Sequence, residues 1–128
     1  MFRRACLAFL MIGLAQPHLA AATVRVPEDH KTIRAAIDAA QAGDVISVAP
    51  GKYPERIRLK SGVTLRSRGD DARGKDGLKR AEVTVLDGGA EGNQSGVVMA
   101  EGSTFDGFTV TNVGHYDEPT WKKHFESK

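Results

Sequence analysis

The sequence predicts an all-β fold, with short strands stacked coil on coil behind one helix, and three observations carry that prediction. After Gly43 the chain breaks into short apolar runs that alternate with period two, each bounded by glycine, asparagine, aspartate or proline. Those runs recur at intervals of about twenty residues with no helix pattern among them, the mark of a coil stacked on a coil. Ahead of them, one segment alone shows helical periodicity.

The chain has 128 residues, enough for one small domain. Residues 1–22 read as a secretory signal peptide. Arg3 and Arg4 give a positive start, Ala5 to Ala15 is apolar, and Ala20-Ala21-Ala22 offers small residues for cleavage after Ala22. The apolar run is about half of the ~20 residues a membrane-spanning helix needs, so no span is expected after cleavage. Removing Arg3 and Arg4 leaves 16 basic and 16 acidic residues, so the mature chain is formally neutral. That balance gives no support to nucleic-acid binding. Cys6, the single cysteine, lies inside the signal. The mature chain is therefore expected to have no disulfide, thiol nucleophile or cysteine metal ligand. Export without disulfides fits a periplasmic or secreted protein.

Thr23 to Val26 reads as a short strand ended by Pro27. The helix is expected at about residues 32–42, with Thr32 as N-cap, Ile33, Ala36, Ile37 and Ala40 on one apolar face, and Gly43 as the stop. The strands then follow as Val45-Ile46-Ser47-Val48, Ile57-Arg58-Leu59, Val63-Thr64-Leu65, Val83-Thr84-Val85-Leu86, Val97-Val98-Met99 and Phe108-Thr109-Val110-Thr111. Taking Ile46, Val63, Val83 and Phe108 as equivalent starts gives separations of 17, 20 and 25 residues. One inward ladder is expected through those four, and a second through Val48, Leu65, Val85 and Val110, with equivalent strands pairing in parallel. Gly62 and Gly107 precede two of the starts, where positive φ would turn the coil, and Asn112 tolerates the same conformation. Ser67 to Glu82 is charged and reads as an exposed inserted loop, while residues 113–128 read as a polar tail or the start of another inserted loop.

Val26-Pro27, Thr32 to Ala40, Gly43-Asp44, Val48-Ala49-Pro50-Gly51-Lys52-Tyr53, Leu59 to Leu65, Val85 to Gly89 and Phe105 to Asn112 together resemble the opening of the pectin-lyase-like right-handed parallel β-helix proteins. The resemblance covers most of residues 24 to 112. It implies about three to four coils over residues 23–112, with the helix capping the N-terminal end of the stack. Proteins with similar openings include polysaccharide lyases, pectin esterases, mannuronan epimerases and periplasmic accessory proteins of nitrous oxide reductase maturation. The implied function is that of an exported, carbohydrate-associated protein, the N-terminal part of a polysaccharide-modifying or repeat protein, with polysaccharide as partner. The alternatives are a periplasmic metal-delivery protein and a structural or adhesive solenoid without chemistry. No catalytic position of the family carries over, so this chain alone is not expected to be catalytic, and no cofactor is implied.

The candidate ligand-binding residues are Arg66, Asp106, Tyr116 and Trp121. Arg66 could meet an acidic sugar, as could Arg56, Arg58 and Arg68, and Tyr116 and Trp121 could stack on a ring. The other reading of the arginines, and of Lys79-Arg80, is solvated surface charge. Asp87 and Asp106 each precede glycine, so turn formation competes with metal or acid–base roles. His115 and His124 form a weak metal alternative, nine positions apart and matching no ligand spacing. With no strand pattern after Asn112, further coils or a partner are expected on that open end of the stack.

Overall fold

The computed structural model describes residues 20–92, 94–114, 119, 122 and 123. The described chain is mostly short strands in parallel sheets. Through residue 111 the elements follow in the order β1 (Thr23–Val26), α1 (Ile33–Ala39), β2 (Val45–Val48), β3 (Gly51–Tyr53), β4 (Ile57–Arg58), β5 (Thr64–Ser67), α2 (Lys79–Glu82), β6 (Thr84–Asp87), β7 (Val97–Val98), β8 (Thr104–Asp106) and β9 (Thr109–Thr111). The first sheet has the order β1-β2-β5-β8, the second β3-β6-β9 and the third β4-β7. Every neighbouring pair within them is parallel. From β2 onward the chain visits the first, second and third sheets in turn, and then repeats that order.

The helix forms for local reasons and for one distant one. The Thr32 hydroxyl accepts from the Ala35 amide at 3.1 Å, as an N-cap should. The Glu55 carboxylate, from the turn after β3, accepts the Ile33 and Arg34 amides at 2.9 and 3.0 Å. Those amides have no partner within the helix, and a negative charge suits that end. At the other end the Lys60 ammonium donates to the Asp38 and Ala40 carbonyls at 2.6 and 3.3 Å. The helix ends at Ala39, before the expected stop at Gly43, with Ala40 already extended. Its apolar face of Ile33, Ala36, Ile37 and Ala40 is buried, and the helix packs on β1, β2 and β4.

Strand alternation sorts the side chains. In the first sheet Val24, Ile46, Leu65 and Phe105 lie opposite one another in one inward row, and Val26, Val48 and Ser67 in the next. Leu86 supplies the second sheet's buried row and Ile57 the third's, with Leu59 just beyond β4. Phe105 stacks on Phe108 with ring centroids 4.8 Å apart.

This register corrects the expected ladders. Ile46 lies opposite Leu65, not Val63, and Val63 precedes β5, although it is fully buried. Val83 is 47% exposed, outside any ladder, and Val110 lies opposite Leu86, 37% exposed. The cause is physical. Period-two alternation fixes which face a residue takes, but a slip of two residues leaves every face unchanged. Val63 and Leu65 were therefore indistinguishable by pattern. Phe108 precedes the second-sheet strand β9, and so is not equivalent to Ile46.

The segment from Ser67 to Glu82 is also not simply an exposed loop. Ser67 ends β5 in a buried position, α2 is a second helix, and Arg80 within it is 4% exposed. The segment leaves the first sheet and enters the second at Thr84. Gly62 and Gly107 have φ of +73° and +80°, and Asn112 of +52°, so all three expected corner residues take the left-handed conformation.

Candidate functional site

The outward rows of the first sheet hold most of its polar chemistry. Arg25, Ser47, Arg66 and Asp106 stand opposite one another on successive strands, which places them about 4.8 Å apart along the stack. Arg66 reaches Asp71 at 3.1 Å and lies 3.7 Å from Asp106. Arg68, just past β5, grips Glu28 through two hydrogen bonds of 2.6 and 3.1 Å. That bond to Arg68 holds the Glu28 carboxyl down at about 2. Arg25 and Asp29 pair at 3.5 Å. The row is therefore densely polar yet internally balanced in charge.

Arg80 anchors one end of this row. Its Nη2 donates to both Asp106 oxygens at 2.8 and 2.9 Å, its Nε to Asp71 at 3.0 Å, and its Nη1 to Ser67 Oγ at 3.0 Å and the Asp106 carbonyl at 3.2 Å. The hydrogen bond to Asp106 raises its already high pKa further. Where β1 and β2 place Val26 and Val48, β5 places Ser67, because a guanidinium enters the interior there and needs an acceptor. Gly107 makes the space, since a Cβ at that position would overlap the guanidinium and Ser67 Oγ. Sequence reasoning took Arg80 for solvated charge. The available signals were Ser67 in an apolar ladder position and Gly107 after Asp106.

On the second sheet, Asp87 binds Lys52 at 2.7 Å, the Gly89 amide at 2.9 Å and the Asn112 amide group at 3.1 Å. These hold its carboxyl down at about 2, with Lys52 the largest cause. The Gly89 contact is the turn-forming bond expected of an aspartate before glycine. Asp87 and Glu28 stay ionised at neutral pH, so neither can donate a proton there.

A second feature lies between α1 and β4. A groove of about 790 Å³ is lined by Arg34, Arg56, Arg58 and Lys60, with Asp38, Gln94 and apolar residues. Arg56 donates to the carbonyls of Gly88, Glu91, Gln94 and Val113, and it shares a smaller adjoining groove with Arg34, Glu55 and Asp87.

Of the residues expected at a site, Arg66 and Asp106 are brought together on one face. Asp106 does not act as an aspartate turn; its carboxylate engages Arg80. Tyr116, Trp121, His115 and His124 lie outside the described residues. Among the described residues, no group of three or more His, Asp or Glu side chains could hold a metal ion, and no helix is long and apolar enough to cross a membrane. Comparison with family models, with curated proteins and with solved structures finds no match.

Proposed function

We propose that this chain is an exported right-handed parallel β-helix of the pectin-lyase-like kind, and that it associates with polysaccharide through the outer face of its first sheet. The cyclic order of three parallel sheets supports the fold reading, and α1 then takes the part of the N-terminal cap. One observation carries the functional reading: the Arg25–Ser47–Arg66–Asp106 row sets fixed donors and acceptors at a regular spacing along the stack. A ligand made of repeating hydroxylated units suits a surface that repeats. The role is binding, with no residue in this chain assigned to bond breaking.

The test is affinity electrophoresis of the secreted chain in gels containing soluble polysaccharides, neutral and acidic. At least one should retard it, and Arg66→Ala should weaken that retardation while Lys31→Ala, off the row, should not. Absence of retardation by every polysaccharide would reject the association.

A further inference from the structure

Proteins that stay single blunt their exposed strand edges, because an open edge pairs readily with another chain. The two edges of this set of sheets are treated differently. On β1, the first edge strand of the first sheet, the Arg25 amide donates to the Asp29 carboxylate at 2.8 Å, and the Arg25 carbonyl accepts the Asp29 and His30 amides at 2.8 and 3.3 Å. Pro27 follows at once, and α1 packs on β1 and β4. The opposite edge is formed by β8, β9 and β7, the last strands of the three sheets. These strands adjoin, since Phe105 stacks on Phe108 just before β9, and a Cβ at Gly96, just before β7, would meet Val110 at 2.9 Å. The backbone groups that pair back into the sheets belong to alternate residues, among them Thr104, Thr111, Gly96 and Val98. Phe105, Val110 and Val97 alternate with these, so their amides and carbonyls face the open side. No further strand pairs there among the described residues. The side chains of Phe105, Val110 and Val97 continue the rows of Leu65, Leu86 and Ile57, which are buried. Val110 is nonetheless 37% exposed, and Met99, just past β7, is 51% exposed. From Thr84 to Gly114 the chain has no lysine, arginine or proline, so the usual guards of an edge are missing on this side alone.

We infer that this open edge is a self-association surface whose occupant is a second copy of the same chain, joined edge to edge across a two-fold axis. Each copy has one open edge and one blocked edge, so head-to-tail growth has no acceptor and the assembly closes at two. Within β8, Phe105 is the residue with both backbone groups turned outward, so it pairs with its own equivalent in an antiparallel ladder. An axis at Phe105 sets Asp106 of one copy opposite Thr104 of the other, so the two carboxylates do not meet. Asp106 is in any case compensated by Arg80. The rest of the edge, Val97, Met99 and Val110 with Thr109 and Thr111, is apolar or hydroxylic, and depletion of charge is the mark of an interface core. A second copy covers Met99 and Val110 with the same apolar groups. The inference is independent of the association with polysaccharide, which uses the outer face of the first sheet, and either can fail without the other.

The experiment is sedimentation velocity of the full secreted chain over a wide concentration range, with amide hydrogen exchange on the same samples. Wild type should reach twice the mass of one chain and go no further, and exchange at the Phe105 amide should slow as the dimer forms. Met99→Lys and Val110→Lys should return the mass to that of one chain with far-ultraviolet circular dichroism unchanged. Gln41→Lys, exposed after α1, should leave the dimer intact. Should Val110→Lys fail to fold, Met99→Lys, at a more exposed position, gives the same reading. A wild type of single-chain mass at every concentration overturns the inference, and slow exchange at Phe105 in that single chain would name a segment of the chain itself as the occupant. A dimer that survives both substitutions overturns the surface. Growth beyond two chains overturns the closed pairing, and a dimer with fast exchange at Phe105 overturns pairing through β8.

Discussion

Arg80, in the short helix α2, meets Asp106, at the end of β8, through two hydrogen bonds of 2.8 and 2.9 Å, and so ties the segment between β5 and β6 to an edge strand of the first sheet. The guanidinium side chain is 3% exposed and the carboxylate 35%. The pair is therefore half sheltered, with the cation on the dry side.

Removing the anion should leave the sheltered Arg80 with the exposed Asp71 as its remaining carboxylate partner. Asp106→Ala is expected to destabilise the chain by about 2 kcal/mol, below the cost of stranding a buried cation outright. Arg66→Ala removes only the solvent-facing partner of the same carboxylate, and should cost under about 1 kcal/mol. Urea unfolding of the two variants against wild type measures both. Comparable losses would contradict the assignment of Arg80 as the main partner of Asp106.

Register can be read from core truncations. Leu65 is fully buried opposite Ile46, whereas Val83 is nearly half exposed at the C-terminal end of α2. Leu65→Ala should cost about 2–5 kcal/mol, and Val83→Ala under about 1 kcal/mol. The ladder that pattern alone suggests, through Val63 and Val83, demands a large loss at Val83. Chemical denaturation of both variants decides between the two registers.

Acid should weaken the fold within a defined window. The carboxyls of Glu28 and Asp87 are lowered from ordinary values of 4.5 and 3.8 to about 2. A depressed carboxyl stabilises the native state fully above its unfolded pKa, and that contribution is lost as pH falls through the native value. Stability should therefore fall between about pH 4.5 and pH 2, because the unfolded chain takes up protons there that the native chain refuses. Unfolding curves across that range should show a shallower acid limb for Arg68→Ala and for Lys52→Ala than for wild type.

The helix cap can be separated from helix propensity. Glu55→Ala removes the acceptor of two amides while touching no helical residue, and should cost about 1–2 kcal/mol. Thr32→Ala removes one acceptor and should cost about 1 kcal/mol. Amide exchange at Ile33 and Arg34 should quicken in Glu55→Ala, and that at Ala35 in Thr32→Ala.

Much of the strand plan was legible because the runs Val45 to Val48, Val63 to Leu65 and Val83 to Val85 alternate, although in β6 the buried side chains are Thr84 and Leu86, and because α1 carries its face at Ile33, Ala36, Ile37 and Ala40 with Thr32 before it. β3 and β8 were not found. Gly51-Lys52-Tyr53 and Thr104-Phe105-Asp106 hold one large apolar residue apiece, so neither shows alternation, and only their neighbours' pairing makes them strands. The candidate site divides similarly. Arg66 could be named because it follows an apolar run and Asp106 because it precedes glycine, and they do share a face. Arg80 was illegible because its burial depends on Ser67, Asp71 and Asp106, which sequence spacing does not bring together. The groove cations were noticed only in part, as Arg56 and Arg58. Arg34 joins them because α1 packs against β4, a tertiary contact.

The amides at the start of α1 depend on a carboxylate more than twenty residues further along the chain. During synthesis, N-terminus first, the helix-forming stretch emerges well before Glu55 does. At seven residues it is also too short to hold its shape in water unaided. The cap therefore cannot serve as a preformed template on which later strands assemble. It forms only once the turn after β3 has arrived, so α1 and the strands up to β3 should appear together as one kinetic unit. A peptide spanning residues 20–44 should accordingly show no helical signal in circular dichroism, and one extended past Lys60 should begin to recover it.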